Sequence, residues 1–195
     1  MISIPTGDGM ALVFYQSPEA PVECALELAR ADKQHPELEL RMGVHSGPVS
    51  GVVDVNGRAN LAGAGINMAQ RVMDCGDAGH ILLSKHVADD IDDYPEWRPY
   101  LHNLGECEVK HGVRLHLFNL YGDDFGNPAV PGKVQSATRL AHKGSPRSQV
   151  ALGNANELPL KLCFLLLQRG CRSSLRPRAT ICSSNLSSIA ARKKR

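Results

Sequence analysis

The chain is poor in aromatic residues, at 5% with a single Trp, and its six cysteines are scattered over Cys24, Cys75, Cys107, Cys163, Cys171 and Cys182 with no C-x-x-C pair. Met1 is followed by an apolar, strand-like ISIP rather than by a charged segment and a long apolar run, so no signal peptide is expected. The cysteines then read as reduced thiols of a cytoplasmic protein. No apolar run approaches the ~20 residues that span a bilayer. The densest, residues 158–167, is interrupted by Lys161, and no transmembrane segment is expected. Two nucleotide-binding motifs are also missing. A G-x-x-x-x-G-K-[ST] loop occurs nowhere, and Gly63-x-Gly65 has Met68 where a dinucleotide-binding turn needs a third small residue.

A hydrophobic content of 43% against 22% charged residues is ordinary for a folded soluble chain. A length of 195 residues allows one domain and an appendage. The net charge of +2 conceals a division: residues 1–131 hold 9 Lys and Arg against 19 Asp and Glu, and residues 132–195 hold 13 against 1. An acidic domain over 1–124 is therefore expected to carry a basic, Pro/Gly/Ser-containing tail over 125–195. That tail is expected to be largely disordered, with residues 158–167 disordered or a weakly helical apolar patch. Basic tails bind nucleic acid or anionic lipid. Beyond Gly132, however, Phe164 is the only aromatic, so a solvated tail without a fixed partner is the favoured reading.

Along the domain, apolar runs at 2–5 and 10–15 flank Gly7-Asp8-Gly9, which predicts a hairpin. Asp8 is either a carboxylate held at the hairpin tip for a hard cation or simply half of a common Asp-Gly turn, and the tripeptide by itself favours the turn. A helix is predicted over 18–31, where Val22, Ala25, Leu26 and Ala29 recur at helical spacing. Strands are predicted over 38–45 and 49–55, closed by Asn56-Gly57. His45 has no ligand partner at metal spacing and reads as a hydrogen-bonded scaffold residue.

After Gly63 and Gly65, a helix is predicted over 66–75 with Ile66, Ala69, Val72 and Met73 inward. Asn67 and Arg71, four apart, then lie one above the other on its outer side. An amide and a guanidinium so placed suit a ribose and a phosphate, although on an isolated helix such a pair is more often plain surface. A short strand over 81–83 follows, then a helix capped by Ser84 and running to about residue 91. Strands over 104–109 and 113–120 surround Lys110-His111-Gly112. Lys110 is placed for a phosphate contact, or is a solvated turn lysine.

The order of these pieces resembles the catalytic domain of the class III adenylate and guanylate cyclases. The segments that carry the resemblance are TGDGMALVF (6–14), LRMGVHSGPV (40–49), NLAGAGINMAQRVMD (60–74), GHILLS (79–84) and LGECEVKHGVRLHLFNLY (104–121). They cover most of residues 1–121 and none of the tail. Each is weak alone; their order and separation are specific.

The resemblance implies a ferredoxin-like α/β (α+β) core, a homodimer or heterodimer, and ATP or GTP bound at the subunit interface. It also implies two divalent cations, Mg or Mn, and attack of the ribose 3′-hydroxyl on the α-phosphorus with loss of pyrophosphate. The product is a 3′,5′-cyclic nucleotide for signalling, with cyclic AMP expected. By the same resemblance Asp8 matches a metal ligand, Asn67 and Arg71 match the ribose-orienting and transition-state pair, and Lys110 matches the triphosphate lysine.

Three departures stand beside it. The family's first metal Asp lies on a strand ahead of the hairpin, and this chain begins at the hairpin. Ile4 stands where the family has its purine-selecting lysine, and Asn60 stands in place of that lysine's partner, where it can still hydrogen-bond a purine edge. A sheet without its central first strand leaves backbone groups unpaired, so the chain is expected to be unstable or to borrow a strand. A catalytically degenerate cyclase-homology module acting in regulation or dimerisation is the alternative function.

Overall fold

The computed structural model describes residues 1–15, 17–35, 37–53, 57, 59–109, 112–135 and 162–169. Strands Ile2–Pro5 (β1) and Gly9–Phe14 (β2) form the hairpin that the Asp-Gly turn predicts. Helix Glu19–Gln34 (α1) follows, running three residues past its predicted end. Next come Leu40–Gly47 (β3), Ser50–Val53 (β4), Ala59–Ala62 (β5) and helix Ala64–Met73 (α2). Ile81–Ser84 (β6), helix Lys85–Asp92 (α3), a 3-10 turn at Arg98–Tyr100, Leu101–Val109 (β7) and Val113–Leu120 (β8) complete the body. The strand predicted over 49–55 is described as far as Val53, and Asp54, Val55 and Asn56 lie outside the described residues.

The last element among the described residues, Leu162–Arg169 (β9), lies in the middle of the sheet. The seven strands run in the order β1-β2-β9-β3-β6-β8-β7, and β4 and β5 form a separate two-stranded hairpin. Every pairing in the large sheet is antiparallel except β3 with β6. β9 pairs with β2 from Gly9↔Gln168 to Phe14↔Cys163, and with β3 from Leu40↔Arg169 to Gly47↔Leu162. The architecture is α+β, with β1-β2-β9-β3 in ferredoxin-like order and β9 in the central place left for a first strand.

Residues 162–167 of the apolar run are therefore extended, unlike the disordered or weakly helical patch expected of the run, and residues 158–161 lie outside the described residues. Lys161 and a period that fits neither template hid a segment whose extended form is selected by two open strand edges. The rest of the basic tail, 136–161 and 170–195, lies outside the described residues.

Side-chain alternation sorts the core onto the two faces of the sheet. Leu12, Met42, Val44, Ile81 and Leu83 pack with Val22, Ala25 and Ala29 of α1 and Val87 and Ile91 of α3. On the opposite face Ala11 and Val13 meet Ala69 and Met73 of α2, while Leu82 and Leu117 meet Val72 and Cys75. Each fully buried Leu or Ile contributes roughly 1.5–3 kcal/mol of apolar transfer. Packing continues past Asp124, since Phe125 and Val134 are buried in these clusters. His80, buried at the start of β6, holds that segment: its Nδ1 accepts from the Asp77 N–H at 3.1 Å and its Nε2 donates to the Ala129 carbonyl at 2.8 Å.

Candidate functional site

Helix α2 packs directly on β3 because two glycines of that strand leave it room. A Cβ on Gly43 would stand 2.6 Å from the Met73 backbone nitrogen, and one on Gly47 would stand 3.0 Å from the Gly65 Cα. Gly65 also donates its N–H to the Pro48 carbonyl at 3.0 Å. These contacts set the direction of α2, whose first turn lies over the end of β3 and whose last turn lies nearer its start. Arg41 reaches back to Asp74 at 3.7 Å and fixes that last turn.

Ala69, Val72 and Met73 are buried, as the helical spacing predicts, and Ile66 is half-buried. Asn67 is exposed, and Arg71 is half-buried one turn on. The pair is thus brought together on one side of the helix.

Asp8 is exposed in the turn of residues 6–9, which closes with Thr6 N–H donating to the Gly9 carbonyl at 3.0 Å. Gly7 takes φ +75°, which an L side chain rarely adopts, and nothing lies within 4 Å of where its Cβ would be. Gly9 and Arg41 both pair with Gln168 on either side of β9. The Asp8 turn and the Arg71 turn of α2 therefore stand at the same end of the sheet.

A divalent cation of the Mg or Mn type takes about six oxygen ligands. No group of three or more His, Cys, Asp and Glu side chains that could hold a metal gathers among the described residues. The central strand, LCFLLLQR, contains no carboxylate. The described residues thus supply Asp8 alone towards the two-cation site that the resemblance implies, and they do not fit that site.

Asn60 is half-buried on β5, and its Oδ1 accepts the N–H of Leu61 at 2.8 Å. Its amide nitrogen and the second lone pair of Oδ1 are left to meet a ligand. Lys110 lies outside the described residues.

His45 is buried at 9% exposure and shares a 2.8 Å hydrogen bond through Nδ1 with the Ser84 hydroxyl, as expected of a scaffold histidine. Ser84 sits at the N-cap of α3, but it makes no side-chain cap hydrogen bond. Its hydroxyl is engaged by His45, a partner 39 residues away that the local cap pattern cannot reveal.

Burial, followed by the His86 ring edge-on at 6.3 Å, pushes the His45 imidazole down from 6.5 to about 4. A depressed histidine favours the neutral folded form, so its contribution is complete above pH 6.5 and is lost as pH falls towards 4. The expected loss across that window is about 3 kcal/mol. Urea midpoints measured from pH 7.5 to 4 should fall along this slope in the natural chain and flatten in His45→Asn.

Cys24, Cys75 and Cys107 are free and buried. Burial, then the charge of Glu27, pushes the Cys24 thiol up to about 11, while burial and the neighbouring Cys107 push Cys75 up to about 12. These are inert packing thiols.

The family described as the adenylate and guanylate cyclase catalytic domain matches residues 19–122, more than half of the chain. The chain belongs to this cyclase family. The matched stretch includes Asn60, Asn67, Arg71 and Lys110 and starts after Asp8. Atrial natriuretic peptide receptor 2 of mouse, rat and human is 33% identical over 100 residues. That stretch is 50% of this chain and 9% of each receptor, so the cyclase domain spans a small part of the curated relatives it matches. No solved structure matches. Cyclase domains of this family use divalent metals, bind nucleoside triphosphates and work as dimers. No helix among the described residues is long and apolar enough to cross a membrane.

Proposed function

We propose that this cyclase domain contributes Asn67 and Arg71 to a composite site that converts a nucleoside triphosphate to its 3′,5′-cyclic form. The observation that carries the reading is the pair on α2, exposed and half-buried one turn apart, on a helix locked against β3 by Gly43 and Gly47. Asn67 orients a ribose oxygen. Arg71 donates to the charge that grows on the phosphoryl oxygens as the 3′-hydroxyl bonds to the α-phosphorus and pyrophosphate leaves.

Asn60 bears on the choice of base. One lone pair of its oxygen is held by Leu61, which turns the amide N–H groups, as donors, towards the purine. A donor suits the O6 acceptor of guanine and opposes the N6 amino group of adenine, which supports GTP over the ATP that the family resemblance suggests.

The experiment pairs this chain with a second cyclase domain of the family that keeps both metal carboxylates but has its own transition-state arginine replaced by Ala. Cyclic nucleotide and pyrophosphate release from GTP and ATP with Mn or Mg should appear in the mixture. Arg71→Ala should lower the rate about a hundredfold or more. An unchanged rate would remove Arg71 from the chemistry.

A second reading, a cyclase-homology module that binds nucleotide or a partner without turnover, is favoured by the absence of any carboxylate in β9. Under that reading GTP binds and no product forms in the complemented mixture. Turnover lost on Arg71→Ala excludes it.

A further inference from the structure

The strand at the centre of the sheet is the last one among the described residues, and the chain reaches it from the body through residues 136–161. Among the described strands, β9 is the only partner of the β1–β2 hairpin on its inner side and the only one that links that hairpin to β3 within the sheet. It pairs along its length on both sides, six positions with β2 and eight with β3. We propose that Leu162–Arg169 is a donor strand which the cleft between β2 and β3 accepts from a second copy of the chain as well as from its own, so that two copies join by exchanging β9.

Three features carry this. The pairing is a backbone ladder, and it is the same whichever copy supplies the strand. An empty cleft leaves two open strand edges, one on β2 and one on β3, which only an extended antiparallel segment satisfies. The donor is tethered by a long connection, whose closure entropy grows slowly with length. A connection of that length holds β9 near its own cleft at an effective concentration on the order of millimolar. Dilute chains close on themselves, and chains unfolded and refolded together at high concentration exchange. This inference stands apart from the cyclase reaction, because it needs neither nucleotide nor metal.

The natural Cys163 on β9 provides the reporter. It is in register with Phe14 on one side and Ser46 on the other. In a central antiparallel strand each residue is a hydrogen-bonded pair with one neighbour and a non-hydrogen-bonded pair with the other, whose closer Cα spacing suits a disulfide. One of Phe14→Cys and Ser46→Cys therefore has suitable geometry.

Each acceptor variant, also carrying Cys163→Ser, is unfolded together with the natural chain, refolded at about 5 and about 500 µM, and oxidised with glutathione disulfide. Peptide mass mapping then identifies the link. A covalent dimer joining residue 14 or 46 of one chain to Cys163 of the other is expected, with its yield rising severalfold between the two concentrations. Phe14→Cys or Ser46→Cys alone, with Cys163 kept, should close within one chain when dilute. Arg41→Cys, in register with Gln168 instead, should not link to Cys163.

Closure only within single chains at both concentrations would overturn the exchange. No link at either position in any arm would overturn the cleft as the seat of β9. Equal linking by Arg41→Cys would reduce the dimer to random collision and overturn it as well.

Discussion

Leu166→Pro should abolish the cooperative unfolding transition of the domain. Leu166 is in register with Ala11 on one side and Gly43 on the other, at the middle of the central strand. Proline removes a ladder N–H and fixes φ near −65°, far from the extended value of a strand, and is tolerated only at edges and bulges. The loss falls on a domain whose whole stability is roughly 5–15 kcal/mol.

The larger consequence is topological. With β9 unable to pair, the β1–β2 hairpin loses the link through the described strands to β3, and two strand edges open at once. Near-UV circular dichroism and a thermal scan should show no native transition for Leu166→Pro. Leu166→Val, which keeps the N–H and a strand-favouring side chain, should retain one. A normal transition in the proline variant would mean that β9 is dispensable to the fold.

Gly43→Ala should lower stability by about 3 kcal/mol, the upper part of the range for overpacking a tight core. The added Cβ would meet the Met73 N, Cα and Cβ at 2.6, 2.7 and 2.7 Å, and most of that obstacle is helix backbone that cannot rotate away. The helix must lift from β3, and Asn67 and Arg71 move with it. The substitution should therefore weaken nucleotide binding as well as stability, although it touches neither side chain. Gly51→Ala on β4, where a Cβ meets nothing within 4 Å, is the matched control and should unfold with the natural chain. Equal urea midpoints for the two variants would show that α2 is not held by this contact.

The parts of the fold that were legible in the sequence are those decided within a few residues. The Asp-Gly turn specified β1 and β2, and the spacing of Val22, Ala25 and Ala29 specified the buried side of α1. The period of α2 separated Ala69, Val72 and Met73 from Asn67 and Arg71 before any contact was known.

Features set by distant partners were not legible. Ser84 reads as a helix cap in its own segment, and only the approach of β3 gives its hydroxyl to His45. The local sequence around Gly43 and Gly47 does not announce their part in packing, and only α2 explains why neither carries a side chain. β5 has four residues without clear alternation, and its pairing with β4 comes from the hairpin register. β9 is the extreme case, since its conformation is chosen by edges more than a hundred residues earlier in the chain. At the candidate site the helix pair was legible and the state of Asn60 was not, because one lone pair of its oxygen is taken by its own neighbour's backbone.

The position of β9 also dictates the order of events during synthesis. Every strand of the large sheet but one is made by residue 120, and the one that joins the β1–β2 hairpin to β3 arrives only after residue 161. Until then the nascent chain holds a hairpin and a four-stranded sheet with facing unpaired edges and no way to close them. Pairing of such high sequence separation is slow, and exposed edges aggregate while they wait. The yield of folded protein should therefore be governed by how long the ribosome takes to reach the codons of β9. A pause before the codons of β9 would lower it, and a chaperone that shields strand edges would raise it.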